Sequence, residues 1–182
     1  MSCITQGITK SCDRKISGGL RKVFLASFPS IDNYTVAGDN SISAVTMVDP
    51  LTDFFYEFEF KENTASLTQE EDNTTGANIN TVTLTMVFPS PTQAEINAIN
   101  DLKNCQCGIS GIVLENVKDD AGNREGWVIG QESPDYLKFA TSSFTTGTAR
   151  GDANEITVVL TATLEELAPR WTGLEAGIPV QP

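Results

Sequence analysis

Apolar residues recur at every second position in run after run of this chain, and at helical spacing in one place only. Period-two alternation puts one set of side chains on each face of a strand, whereas a helix needs a period near 3.6. Phe54, Tyr56, Phe58 and Phe60 alternate with Glu57, Glu59 and Lys61. Val82, Leu84, Met86 and Phe88 alternate with Thr81, Thr83 and Thr85, and Ile156, Val158, Leu160 and Ala162 with Thr157, Val159, Thr161 and Thr163. The exception is the stretch Thr92 to Asn104. Thr92 is placed to cap the free N–H groups and Glu95, three residues on, to reach back to the cap's own N–H, while Ile96, Ile99 and Leu102 form an apolar stripe beside Ala94 and Ala98. These patterns predict a mainly β fold, an antiparallel β-sandwich or barrel with one flanking α-helix over about 92–104.

Further strands are expected from Lys22 to Phe28, from Ser41 to Val48, from Gly111 to Val117, from Gly126 to Glu132 and from Tyr136 to Ser143. Phe54–Lys61 and Asn80–Phe88 are expected to form one long antiparallel hairpin. Its flexible acidic tip would be Thr68 to Asn78, with Glu70, Glu71, Asp72 and Gly76. Residues 1–20 show no periodicity and read as an extended N-terminal arm. Residues 165–182, rich in Pro and Gly, read as an extended or disordered C-terminal extension that Trp171 is able to anchor. With 182 residues, 40% of them hydrophobic, the whole chain makes a single domain with a core of its own.

The chemistry-bearing residues exclude more than they suggest. There is no histidine, which removes the commonest general base, the commonest metal ligand and every Ser-His or Cys-His nucleophile pair. Carboxylates are plentiful, yet nothing singles out two of them as an acid–base pair, and the chain does not read as an enzyme. Cys3, Cys12, Cys105 and Cys107 lack both the spacing of a structural zinc site and the regularity of a disulfide framework, so they read as reduced thiols. Asp119, Asp120 and Asn123 lack the alternating ligands of a calcium loop and read as a hairpin turn; Arg150-Gly151-Asp152 is a chance-level tripeptide. No cofactor or metal is expected.

Twenty-four acidic against 12 basic residues give a net charge of −12, which opposes sequence-independent grip on phosphate backbones. The same charge suits a surface past which DNA must slide. No apolar run is long enough to span a bilayer and no secretory signal opens the chain, so synthesis in the cytoplasm without membrane association is expected.

The second half of the chain resembles the tail tube proteins of tailed bacteriophages. The stretches that carry the resemblance are Leu84-Thr-Met-Val-Phe-Pro with the capped helix directly after it, Val113-Leu-Glu-Asn, the turn Asp120-Ala-Gly-Asn, Gly126-Trp-Val-Ile-Gly130, Tyr136-Leu-Lys-Phe, Thr146-Gly-Thr-Ala-Arg-Gly-Asp-Ala-Asn154 and the final Thr-rich strand. The resemblance is one of pattern and order. It implies a virion structural protein, a homo-oligomer forming hexameric rings that stack into a tube through which DNA is ejected without specific binding. It also implies contact with sheath, tape measure, baseplate or terminator proteins, and assembly in a bacterial host's cytoplasm. On that reading the hairpin bearing Phe54, Tyr56, Phe58, Phe60, Val82, Leu84 and Met86 lies at the subunit interface. The N-terminal arm, the acidic loop and the C-terminal extension would link successive rings or contact an outer sheath. Two other readings share the pattern: a tube subunit of a phage-derived contractile injection system, and a receptor- or carbohydrate-binding β-sandwich of a virion.

Overall fold

The computed structural model describes residues 18–72, 79–118, 122–149 and 152–181. In chain order the elements are β1 (Leu20–Ser27), β2 (Ile31–Val36), β3 (Ile42–Met47), β4 (Tyr56–Phe58), β5 (Ser66–Asp72), β6 (Ile79–Pro89), α1 (Gln93–Asn104), β7 (Ile109–Lys118), β8 (Arg124–Ile129), β9 (Lys138–Thr145), β10 (Glu155–Leu164) and β11 (Arg170–Trp171). They form a seven-stranded sheet, ordered β2-β3-β11-β8-β7-β1-β4, and a four-stranded sheet, ordered β5-β6-β10-β9. The fold is therefore a mainly β sandwich with a single helix, as the periodicities predict.

Two apolar clusters hold it. Between the sheets, Leu84, Met86, Val158 and Leu160 of the smaller sheet meet Val23, Leu25, Val113 and Ile129 of the larger one. On the far face of the larger sheet, Phe24, Ile112, Leu114 and Val128 are covered by Tyr34, Ile42, Val45 and Met47 from β2 and β3 and by Phe55, Trp171 and Ile178. β7 lies between β1 and β8 and supplies both clusters, so its first six residues are all buried. β8 approaches it so closely that a Cβ on Gly126 would stand 2.3 Å from the Val113 carbonyl oxygen.

The helix forms as its sequence dictates. Thr92 Oγ1 accepts from the Glu95 N–H at 3.4 Å and a Glu95 carboxylate oxygen accepts from the Thr92 N–H at 2.5 Å, a complete capping box. Ile99 and Leu102 are buried in the inter-sheet cluster with Ile96 beside them, so α1 closes one open side of the sandwich. The chain then reverses through Gly108 (φ +91°), where a Cβ would collide with the Tyr136 ring.

Four sequence expectations are corrected. First, Phe54–Lys61 and Asn80–Phe88 do not pair as one hairpin. Only Tyr56–Phe58 is strand there, and β4 pairs with β1 in the larger sheet, while β6 takes β5 as its hairpin partner. The physical reason is Phe55: it is fully buried in the far-face cluster, bonded to the chain near Val180, whereas Phe58 and Phe60 lean on the inter-sheet cluster. One aromatic run thus serves two cores as the chain crosses between sheets, and a single backbone bond, Lys61 N–H to Val87 O at 2.7 Å, marks the crossing. Second, Thr68–Asp72 is not loop but most of β5; residues 73–78 lie outside the described part.

Third, the C-terminal extension is built into the fold. Trp171 is fully buried, β11 sits between β3 and β8, and Ile178 and Val180 pack on the far-face cluster, so this segment is ordered by the chain's own core. Fourth, β2 has no counterpart among the expected strands. Its pairing with β3 carries register breaks between Ile31 and Asn33 and between Thr35 and Val36, and the second of these puts Ile42 on the same buried face as Val45 and Met47. Residues 1–17, 119–121 and 150–151 lie outside the described residues. With them lie most of the N-terminal arm, Cys3, Cys12, Asp119, Asp120 and the first two residues of the Arg-Gly-Asp tripeptide.

Candidate assembly surface

The four-stranded sheet has two chemically distinct faces, and alternation assigns each residue to one of them. Val82, Leu84 and Met86 on β6 and Val158 and Leu160 on β10 are fully buried against the other sheet. The opposite, bare face has no buried residue in its central rows, where each side chain is half-buried. It carries Thr83 opposite Thr161, Thr85 opposite Val159 and Val87 opposite Thr157. The same rows continue through Thr68 and Ser66 on β5 and Thr141 and Ser143 on β9. The result is a field of hydroxyls and β-branched methyls that packs tightly along the sheet while staying wettable.

Both edges of this sheet are unpaired among the described residues: β5 on one side and β9 on the other. Because β5–β6, β6–β10 and β10–β9 are all antiparallel, the two edge strands run in opposite directions. Their chemistry differs too. β5 carries Glu70, Glu71 and Asp72, whereas β9 opens on Lys138, the one basic residue in the four strands. On β9 a register shift beside Phe139 separates that half-buried ring from Phe144, which is 58% exposed although it sits opposite buried Ile156. β9 thus overhangs the core and presents an aromatic side chain beside an open backbone edge.

These observations redraw the expected interface. Val82, Leu84 and Met86 are interior to the subunit and unavailable to a neighbour, because the second sheet already covers them. Phe58 and Phe60 are half-buried and packed on the same cluster, Phe54 is half-buried, and Tyr56, at 47% exposed, is the aromatic of that set open to contact. Sequence reasoning missed the open edge of β9 with Phe144. The signal was there in the seven residues Phe139–Thr145, which are polar or small around an isolated Phe, as an edge strand is.

Elsewhere the polar groups tie elements together. Lys22 of β1 bonds Glu175 and Glu57, each at 2.9 Å, and these hydrogen bonds raise its pKa above the ordinary lysine value. Arg170 pairs with Glu115 and Glu125 and lies 4.4 Å over the Trp127 ring, whose indole N–H donates to Glu115 at 2.6 Å. Tyr34 bonds the buried Ser110 hydroxyl, which also donates to the Ile129 carbonyl; burial holds the phenol well above its usual range. Burial, then the nearby Glu165 and Glu132 charges, raise Asp135. No group of three or more Cys, Asp or Glu side chains among the described residues is arranged to hold a metal ion. No helix among them is long and apolar enough to cross a membrane. Cys105 is half-buried, its thiol donating to the Gly108 carbonyl, and Cys107 is exposed; both are free thiols.

Comparison of the chain with protein-family models, curated proteins and solved structures gives no match.

Proposed function

We propose that this chain is a tail tube subunit of a tailed bacteriophage, a virion protein that assembles into stacked, hexameric rings around a conduit for DNA. The observation that carries the reading is the four-stranded sheet: one face buried in the core, the other only half-buried, and both edges unpaired among the described residues and antiparallel to each other. Placing β9 of one subunit beside β5 of the next continues an all-antiparallel ladder, repeats indefinitely and leaves no edge once the ring closes. Self-pairing of β5 with β5 would set Glu70, Glu71 and Asp72 against their own copies, whereas β9 brings Lys138 and hydroxyls to the acidic edge.

Six copies of a four-stranded unit make a 24-stranded barrel. At about 4.8 Å between strands and about 40° of tilt its backbone diameter is roughly 45–50 Å, which leaves a lumen wide enough for a DNA duplex. The bare face would line it. Hydroxyls and few cations suit a surface that DNA crosses without adhering, in keeping with the net charge of −12. Sheath, tape measure, baseplate and terminator proteins are the partners this reading assigns. Electron microscopy of the purified chain at high concentration tests it: rings and tubes are expected, and a sample holding only monomers or closed dimers refutes it.

A further inference from the structure

Phe144 projects from one flank of the subunit, and an apolar groove opens on the other. The phenyl group stands 58% exposed on the edge strand β9. The groove, of about 670 Å³, lies between α1 and the strands β1 and β4, with Leu25, Phe58, Phe88, Ala98, Ile99 and Cys105 in its walls. Phe88, Ile156 and Phe144 are successive members of one cross-strand row over β6, β10 and β9. Knob and groove therefore share one end of the smaller sheet and its core-facing side. Their flanks differ. The chain passes directly from β4 to β5, with the Lys61 N–H on the Val87 carbonyl, so these two strands share a flank, whereas β9 is the far edge of the β5-β6-β10-β9 sheet.

The chemistry of the groove selects among the apolar side chains that the subunit exposes. Its lining holds Glu59, Glu95 and Asp101 beside Glu57, which Lys22 pairs, and has no lysine or arginine. Leu51 stands between Asp49 and Asp53, Leu167 follows Glu165 and Glu166, and Leu174 precedes Glu175, so each would bring carboxylates against carboxylates. Phe144 belongs to residues 139–149, a stretch with no charged side chain. An aromatic anchor filling an apolar pocket within an uncharged surround is what carries most of the energy of a stable interface.

We propose that Phe144 of one subunit seats in the groove beside α1 of the next subunit in the ring. The seat rests on the pairing of β9 with β5 of that neighbour and deepens it by supplying a register. Edge strands built mostly from Ser, Thr and carboxylates specify their register weakly, because a slip exchanges one polar side chain for another. One aromatic side chain held in one groove removes that freedom. The contact is heterologous, with the knob on one subunit and the hole on the next, so it repeats around the ring and is satisfied at every interface.

Two substitutions test the seat from its two sides. Phe144→Thr keeps the β propensity and hydroxyl chemistry of the edge but removes the knob, and Ala98→Trp fills the groove from α1 without touching β9 or β5. Each is expected to raise the subunit concentration at which rings form by about tenfold or more, read by sedimentation velocity with microscopy. The double variant is expected to be no worse than the poorer single one, because both remove the same contact. Cys105 reports on the seat in the unaltered chain, since it lines the groove. Its alkylation by N-ethylmaleimide, followed by mass spectrometry, is expected to slow about tenfold in rings relative to free subunits, and not in Phe144→Thr rings formed at higher concentration. If Ala98→Trp does not fold, Phe144→Thr and Cys105 decide without it. Rings that form as readily without Phe144, two effects that simply add, or Cys105 alkylated at one rate in subunits and rings each overturn the seat and leave the tube reading standing. A wild-type chain that forms no rings refutes the tube reading, and the seat with it.

Discussion

Leu84→Ala, set beside Thr83→Ala, tests the assignment of faces on which the assembly surface depends. Leu84 is fully buried, lies opposite Leu160 on one side and Leu67 on the other, and is held by a strand paired along both edges. Truncating a buried Leu costs about 2–5 kcal/mol, and the upper half applies where neighbours cannot collapse into the space. With both flanking strands fixed in register, about 3–4 kcal/mol is expected. Thr83 faces the bare side, where a change to Ala forfeits only β propensity and cross-strand contact with Thr161, under about 1 kcal/mol. Urea unfolding reads the difference. At a slope of about 2 kcal/mol per molar, Leu84→Ala should lower the midpoint by about 1.5–2 M without changing the slope, and Thr83→Ala by under about 0.5 M. Equal costs at the two positions would refute the division into core and bare faces. Leu84→Asp is uninformative about assembly, because an unpaired carboxylate there prevents folding itself.

Gly126→Ala should cost at least about 2 kcal/mol in the same assay, since its Cβ would meet the Val113 carbonyl; a neutral result would refute the close approach of β8 to β7. Thr92→Ala should cost about 1 kcal/mol through loss of the capping box, read as a lowered urea midpoint with faster exchange in the first turn of α1. On the tube reading, Thr83→Lys with Thr161→Lys leaves rings and tubes intact but makes them retain short DNA duplexes at low salt and release them as salt rises; tubes that ignore DNA would place this face outside the lumen. Hydrogen bonds from the Ala149 and Thr148 N–H groups hold the Asp152 carboxyl below its usual range, and the Thr92 N–H does the same for Glu95. A lowered folded-state pKa contributes stability above the ordinary carboxyl pKa that is lost as pH falls through the folded value. Stability should therefore decline as pH drops from about 5 to about 3, less steeply in Asp152→Asn, and an unchanged slope in that variant would refute the contribution.

Much of this fold is legible locally. The Thr92–Glu95 capping box and the strict alternation of Glu155–Leu164 need no distant partner to be read, and both appear where periodicity puts them. What stayed hidden depends on neighbours far along the chain. The Phe54–Phe60 aromatics fit one strand by pattern, yet Phe55 is claimed by a second core that includes Trp171 and Ile178, more than a hundred residues away. β2 escapes because only Tyr34 of its six residues is buried, so no alternation marks it. β5 reads as loop because an edge strand with an uncovered face has little reason to be apolar. For the candidate site, alternation identifies the buried set Val82, Leu84 and Met86 but cannot say whether a second sheet or a second subunit buries them; the answer is the second sheet.

The two-residue strand β11 sets an order of events. Within its sheet the hairpin β2–β3 meets the rest through β11, with Trp171 opposite Ile42 on one side and Gly126 on the other and the Thr172 N–H donating to the Ile42 carbonyl at 2.8 Å. Closing that contact spans about 130 residues, a loop that adds little to the equilibrium cost but belongs among the slow, non-local steps of folding. The sandwich proper can form from β1 and β5–β10 beforehand. The hairpin β2–β3 would then be the last piece to dock and the first to detach, a cover over Phe24, Ile112 and Leu114 fastened by the Trp171–Thr172 pairing to Ile42 and by the Tyr34–Ser110 hydrogen bond.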